Sequence, residues 1–395
     1  MKTSYAENFR TLLHTGCGNW IPFTLDVGGV PGFTAPALDR FELETGSRRP
    51  DEYFDYDFRT VSLKTRFGGD EPAALHGSLP DGTTFDEWGI GHWAGGAAGT
   101  YEKTFPPLAH VESVADVESF PVPIIEAGIA AEKARQYRER GYPVFGYAGS
   151  IYEWSWWLRG MEHFMMDLLS NARLAEAVVS KVAEYTKILA LQSAAAGIDV
   201  LCFYDDAGMQ KGMQIDPDLW RQFVKPQWRN VLESVRGEFP NAYFFLHSCG
   251  NIEAIIPDII EVGFDILHPI QPECMDFASI HRQYGREITL CATISAQKLF
   301  PFGTPDAGLL RAGEPRHPVP VEHGATGDAL GEHRGVRRGG TNPGLSRISS
   351  SYDSLVMLNP STRSTGATPP RSSVAKVAVT VRVAPGSNEK SLSSQ

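Results

Sequence analysis

The chain is short of cysteine, of long apolar runs and of basic charge, and its last quarter is almost without aromatic residues. Five cysteines (Cys17, Cys202, Cys249, Cys274 and Cys291) in 395 residues are few and odd in number, which excludes a disulfide framework. No apolar run approaches the roughly 18 residues of a membrane span. The start, MKTSYAENFRTLL, lacks the basic segment and apolar core of a secretory leader. Lys and Arg number 36 against 47 Asp and Glu, a net charge of −11, which argues against polyanion binding. These absences lead us to expect a cytoplasmic protein that acts on a small molecule, with no membrane or nucleic-acid partner.

Aromatic residues all but stop at residue 306. Of the 42 in the chain, Tyr352 alone falls among the 89 residues from Ala307 to Gln395. Gly, Pro, Ser and Thr supply 38 of those 89, and the charge reverses to +5, against −16 for residues 1–306. A segment with so little to bury cannot offset its ordering entropy. Two parts are therefore expected: a folded domain over 1–306 and a low-complexity tail over 307–395 that supplies no catalytic residue. Arg334–Arg338 reads as solvated charge in that tail. Val374–Val383 is the stretch there that alternates as a short strand would.

What the first 306 residues do contain is a succession of strand and helix signals. Trp20–Leu25, Val144–Ala148, Val200–Tyr204, Tyr243–His247, Asp265–His268 and Ile288–Ala292 are short apolar runs with turn residues around them. Between them, Arg173–Ala196 has apolar positions at helical spacing, and Asp216-Pro217 opens a helix that Pro226 should kink. Ile252–Val262, Met275–Tyr284 and Ser295–Leu299 read as further helices. Alternating units with apolar strands indicate an α/β fold with a parallel sheet. Six or seven strands are legible, one or two short of a (β/α)8 barrel.

Such a barrel carries its chemistry at the C-terminal ends of its strands. Reading off those ends gives Asp26; Ser150 and Tyr152; Asp205 and Asp206; His247 to Asn251; His268, Gln271 and Glu273; and Cys291 and Thr293. The most specific group is His247-Ser248-Cys249-Gly250-Asn251. Residues i and i+2 at a strand end share a face, so the His247 imidazole and the Cys249 sulfur can converge on one point. Nitrogen and thiolate sulfur are donors that zinc favours. A histidine hydrogen-bonded beside an inert cysteine fits the same spacing. Gly250 suits a tight turn, and Asn251 a helix cap.

The stretches FGYAGSIYEWSWWLRG, YDDAGMQKGMQIDPDLWRQFVKP and FLHSCGNIEAIIPDIIEVGFDILHPIQPECMD resemble the uroporphyrinogen decarboxylase superfamily, over roughly Trp20 to Asp306. They are closer to its methyltransferase-like branch than to the decarboxylase. The resemblance implies a (β/α)8 TIM barrel with its active site at the C-terminal mouth. It also implies a zinc site, with His247 and Cys249 matching the first two ligands of a His-x-Cys pair, and a corrinoid, or a corrinoid protein, as methyl donor to a thiol. The family's third cysteine would lie beyond residue 306, where there is none, and Glu273 is the expected substitute ligand. Asp205 and Asp206 are the candidate acid and base, or orient the substrate. Asp26, Tyr152, Trp156 and Gln271 are expected to line the substrate pocket, the Trp-rich run Tyr152–Leu158 offering a face for a flat ligand.

The departures point the same way. The decarboxylase holds substrate carboxylates with an arginine-rich segment after its first strand, where this chain has FTLDVGGVPGF, without one arginine. Its pocket tyrosine falls near Trp156 or Trp157. Decarboxylation of a tetrapyrrole is thus the alternative activity, and an inactive truncated barrel the third reading. The family pattern ends after Gly303-Thr304-Pro305-Asp306, as a frameshift or a replaced C-terminus would leave it, so a barrel lacking its last strand is expected.

Overall fold

A computed structural model describes residues 3–16, 18–95, 101–126, 128–292, 295, 297–298 and 355–358. Thirteen strands are described: β1 Phe23–Thr24, β2 Arg59–Thr60, β3 Lys64–Arg66, β4 Thr84–Phe85, β5 Gly91–Gly95, β6 Tyr101–Phe105, β7 Ile124–Glu126, β8 Val144–Gly149, β9 Val200–Tyr204, β10 Tyr243–His247, β11 Ile266–Ile270, β12 Thr289–Ala292 and β13 Leu355–Leu358. Eight of them make one sheet, in the order β1-β13-β12-β11-β10-β9-β8-β2. The pairings from β2 through β8 to β12 are parallel. The two ends of this order meet. The Asp57 amide donates to the Phe23 carbonyl at 2.9 Å, and the Thr60 hydroxyl to Asp26 Oδ2 at 3.0 Å. The fold is the expected α/β TIM barrel.

The apolar runs became strands because they are covered on both faces. All five residues of β11 are buried, as are the first four of β9 and the middle three of β10. Outside the sheet, the helix Ala172–Ala195 turns Leu174, Val178, Val182 and Leu189 inward and packs on the helix Lys225–Glu238. Phe203, Trp228 and Phe264 meet edge-on between sheet and helices, with Phe244 tilted against Phe203, each such ring contributing about 2–3 kcal/mol of burial. Pro226 marks a break in the helix: Trp220–Val224, the five residues before Lys225-Pro226, form a π-helical turn where the proline lacks an amide.

Inside the barrel lie Phe58, Phe145, Val200, Cys202, Phe245, Ile266 and Cys291. The N-terminal helix Tyr5–Thr15, opened by a Ser4–Glu7 capping box, inserts Phe9 against Phe58, Phe145 and Tyr243 at 5.5–5.7 Å and plugs the lower end. Asp199 and Asp265 seal the same end by accepting the Val144 and Phe244 amides at 2.9 and 2.8 Å. Among the described residues the lower end of the barrel is thus closed.

Three features differ from the sequence reading. Strand β2 is two residues long and was not foreseen. Residues 64–126 leave the barrel to form the small sheets β3-β7 and β4-β5-β6. The eighth place is filled by β13 from the tail, antiparallel to β12 and to β1, with Met357 opposite Cys291 and Val356 opposite Phe23. A barrel short of a strand was expected, and a tail segment occupies the gap instead. Thr293, Val374–Val383, Arg334–Arg338, Cys17, nearly all of the tail, and Ala296 and Leu299 of the helix expected at Ser295–Leu299 lie outside the described residues. Among the described residues no helix is long and apolar enough to cross a membrane.

Burying carboxyl groups in these walls has a cost that depends on pH. Desolvation pushes Asp26, Asp57 and Asp205 from 3.8 up to about 6. The folded chain then holds protons that the unfolded chain releases, so the stability these three groups contribute is full below pH 4 and is lost as pH rises through 6. Each group can account for up to about 3 kcal/mol. Urea unfolding at a series of pH values is expected to show a falling free energy between pH 4 and 6; a rise across that window would contradict the assignment.

Candidate functional site

Register brings the site together. His247, the last residue of β10, pairs with Tyr204, the last residue of β9. Two residues further along each chain stand Cys249 and Asp206, and the Cys249 amide donates to Asp206 Oδ1 at 2.7 Å. Cys249 Sγ lies 3.4 Å from His247 Nε2, and Asp206 Oδ1 lies 3.6 Å from the same nitrogen. One donor atom from each of Asp206, His247 and Cys249 thus falls within 4.8 Å of the other two. The turn that permits this needs Gly250, at φ +84°: a Cβ there would stand 2.4 Å from the Gly208 carbonyl carbon. Gln271 fixes the turn by accepting the Gly250 amide at 2.9 Å.

His247 is held from three sides. Its ring stacks on Tyr204, centroids 4.9 Å apart, and the Tyr204 hydroxyl donates to the Val27 carbonyl. Its Nδ1 lies 2.8 Å from Nδ1 of His268, a fully buried ring that stacks in turn on Phe245. Burial lowers the affinity of His247 for a proton, and Asp206 raises it only in part. The imidazole is therefore neutral at pH 7, the state in which it can ligate a metal.

Beside this group sits an acid that sequence reading missed. Glu153 receives the Asp206 amide at 3.4 Å, and burial together with Asp206 and Asp205 raises its pKa well above the ordinary value. Its signal was available, since it lies four residues past β8, but it stands among tryptophans that drew the attention.

The remaining candidates divide. Asp205 is buried and saturated: Oδ1 accepts from Ser150 Oγ, the Ile151 amide and the Glu153 amide at 2.9–3.1 Å, and Oδ2 from Trp228 Nε1 at 2.9 Å. It ties the end of β9 to the start of the helix Tyr152–Arg159. Glu273, expected as the third ligand, is not one of the three converging groups; its Oε1 accepts the Ser295 hydroxyl. It stands three residues beyond the end of β11, whereas Asp206 stands in register with Cys249 and converges with it and His247. Asp26 is occupied by the Gly32 amide at 3.1 Å and by Thr60. Tyr152 donates to Gln214 Oε1 at 3.2 Å and packs on Phe164. Trp156 packs on the main core beside Trp157, its buried indole N–H without a partner. Asn251, expected to cap a helix beginning at Ile252, lies one residue before the N-cap: a 3-10 turn starts at Glu253, whose amide Asn251 Oδ1 accepts at 3.1 Å, and the α-helix starts at Ile256. Cys291 is buried inside the barrel rather than set at its rim, and burial pushes its thiol well up.

Two buried arginines are committed elsewhere. Arg59 donates to the Tyr56 and Phe58 carbonyls at 2.7 and 2.8 Å, and Arg159 pairs with Asp167 at 2.7 Å.

Comparison with known proteins gives a consistent fold. A methyltransferase from Methanosarcina mazei has a similar structure, with a TM-score of 0.54 over 77% of this chain and 87% of its own, at 18% sequence identity. Among curated proteins none matches the chain. Residues 95–307, more than half of the chain and spanning β8 to β12 with every converging side chain, match the profile of uroporphyrinogen decarboxylase (URO-D). The chain belongs to the uroporphyrinogen decarboxylase (URO-D) family.

Proposed function

We propose that this chain is a zinc-dependent methyltransferase that moves a methyl group from a methylated corrinoid, or a similar donor, to a thiol. One observation carries the reading: the convergence of Asp206, His247 and Cys249 within 4.8 Å of one another at the C-terminal ends of β9 and β10. The donor set fits zinc. One imidazole nitrogen, one sulfur and one carboxylate oxygen are three protein ligands, which leaves a fourth position for substrate, as catalytic zinc requires. The second nitrogen of His247 is hydrogen-bonded, as a ligating histidine's usually is. Zinc bound there would lower the pKa of a substrate thiol and hold it as thiolate at neutral pH.

The protein's own groups shape the reaction. Asp206 and Cys249 are braced by their mutual hydrogen bond, and His247 by Tyr204 and His268. The closed lower end keeps the reacting sulfur on the mouth side. The sulfur takes the methyl group, the donor leaves with the electron pair of the broken bond, and the thiol proton passes to solvent.

Decarboxylation of a tetrapyrrole has less support. Its acidic side chains need cationic partners, and here the first strand is followed by Asp26, while Arg59 and Arg159 are spent within the walls. The test offers the purified protein methylcobalamin and a small alkane thiol, and follows thioether by mass spectrometry. Thioether that disappears on chelation and returns with zinc is expected. Turnover of uroporphyrinogen in the presence of chelator, without thioether, would replace this reading with the decarboxylase.

A further inference from the structure

His268 braces His247 in the reading above, and the form of that contact says more: its Nδ1 stands 2.8 Å from Nδ1 of His247. Two identical ring nitrogens at that distance share one proton, so one ring donates and the other accepts. A cation on the Asp206–Cys249 side needs the lone pair of His247 Nε2, which requires the His247 proton to sit on Nδ1. His268 must then be bare at Nδ1 and carry its own proton on Nε2. That second nitrogen is buried and, among the described residues, has no hydrogen-bond partner, so the contact with His247 is the one polar contact the ring makes there. The reverse arrangement, with His268 donating, puts a proton on His247 Nε2 and closes the ligand position.

We propose that His268 is a positioning residue: its Nδ1 accepts the His247 Nδ1–H and so turns the bare Nε2 of His247 toward Cys249 and Asp206. The ring is placed for this by the strand register, since His247 pairs with His268 across β10 and β11. Stacking on Phe245, centroids 5.4 Å apart, fixes its plane. The proposal rests on the zinc reading for the identity of the ion, not for the hydrogen bond.

Two variants and one spectrum test it. Asparagine keeps an acceptor oxygen near the place of Nδ1, whereas phenylalanine fills the ring volume without one. Zinc affinity, measured by competition with a chelator, is expected to fall about 10–100-fold in His268→Phe and to stay within about threefold of wild type in His268→Asn. Equal losses in both variants would reduce His268 to packing and overturn the proposal, as would wild-type affinity in His268→Phe. The spectrum is taken on the metal-free wild type with nitrogen-15 histidine. The shared proton is expected on His247 Nδ1; finding it on His268 Nδ1, or finding no shared proton, overturns the proposal whatever the zinc result. A wild type that binds no zinc would sink the zinc reading alone and leave the spectrum to decide the role of His268.

Discussion

Replacing His247 by alanine is expected to lower thiol methylation by on the order of 10³-fold while leaving the barrel folded. The size follows from the several kcal/mol that a metal contributes by holding a thiol as thiolate. The folding cost is limited because the ring, though its side chain is only 12% exposed, lies at the end of β10 between Tyr204 and His268 rather than inside the apolar core. Kinetics with the corrinoid donor, set beside near-UV circular dichroism, would separate the two effects. Unchanged kinetics in a folded His247→Ala variant would show that the ring takes no part in the chemistry.

The neighbouring aspartates are expected to behave in opposite ways. Removing the Asp205 side chain orphans four donors: Ser150 Oγ, the Ile151 and Glu153 amides, and Trp228 Nε1. An unsatisfied buried donor costs about 1–3 kcal/mol. Partial relaxation of Ser150 and the helix start would leave Asp205→Ala less stable by about 3–5 kcal/mol in urea unfolding. Asp206→Asn, by contrast, keeps an acceptor oxygen for the Cys249 amide and should unfold within about 1 kcal/mol of wild type, but lose zinc. If Asp205→Ala were as stable as wild type, the tie between β9 and the helix Tyr152–Arg159 would not be what holds the mouth in shape.

How much of this was legible in the sequence depended on how local each signal is. Strands β8 to β12 could be read because each is an unbroken apolar run, and His247 with Cys249 because a spacing of two at a strand end is a property of the backbone alone. Asp206 was legible as a polar strand-end residue but not as a partner of Cys249. That needs the β9–β10 register, which pairs Tyr204 with His247 and is set by contacts distant in sequence. Glu273 was favoured on order along the chain, which says nothing about which strand ends meet.

Other features carried no local signal at all. Two-residue β2 has no period to detect. The plug made by Phe9 looks like any amphipathic helix until its partners, Phe58, Phe145 and Tyr243, are known. Leu355–Leu358 is a four-residue apolar run among Ser, Thr and Pro; it becomes a strand by pairing with β12 and β1. His268 stood in the list of strand-end groups, but its bond to His247 depends on rotamers that no sequence pattern reports.

Thiol methylation at this mouth depends on Asp206, His247 and Cys249 holding a metal. The direct measurement is the zinc content of the purified chain, by elemental analysis after dialysis against a weak chelator, in wild type and in Cys249→Ser. About one zinc per chain in the wild type and a small fraction of that in the variant is the predicted result. Equal zinc in both proteins, or none in the wild type after loading, would contradict it.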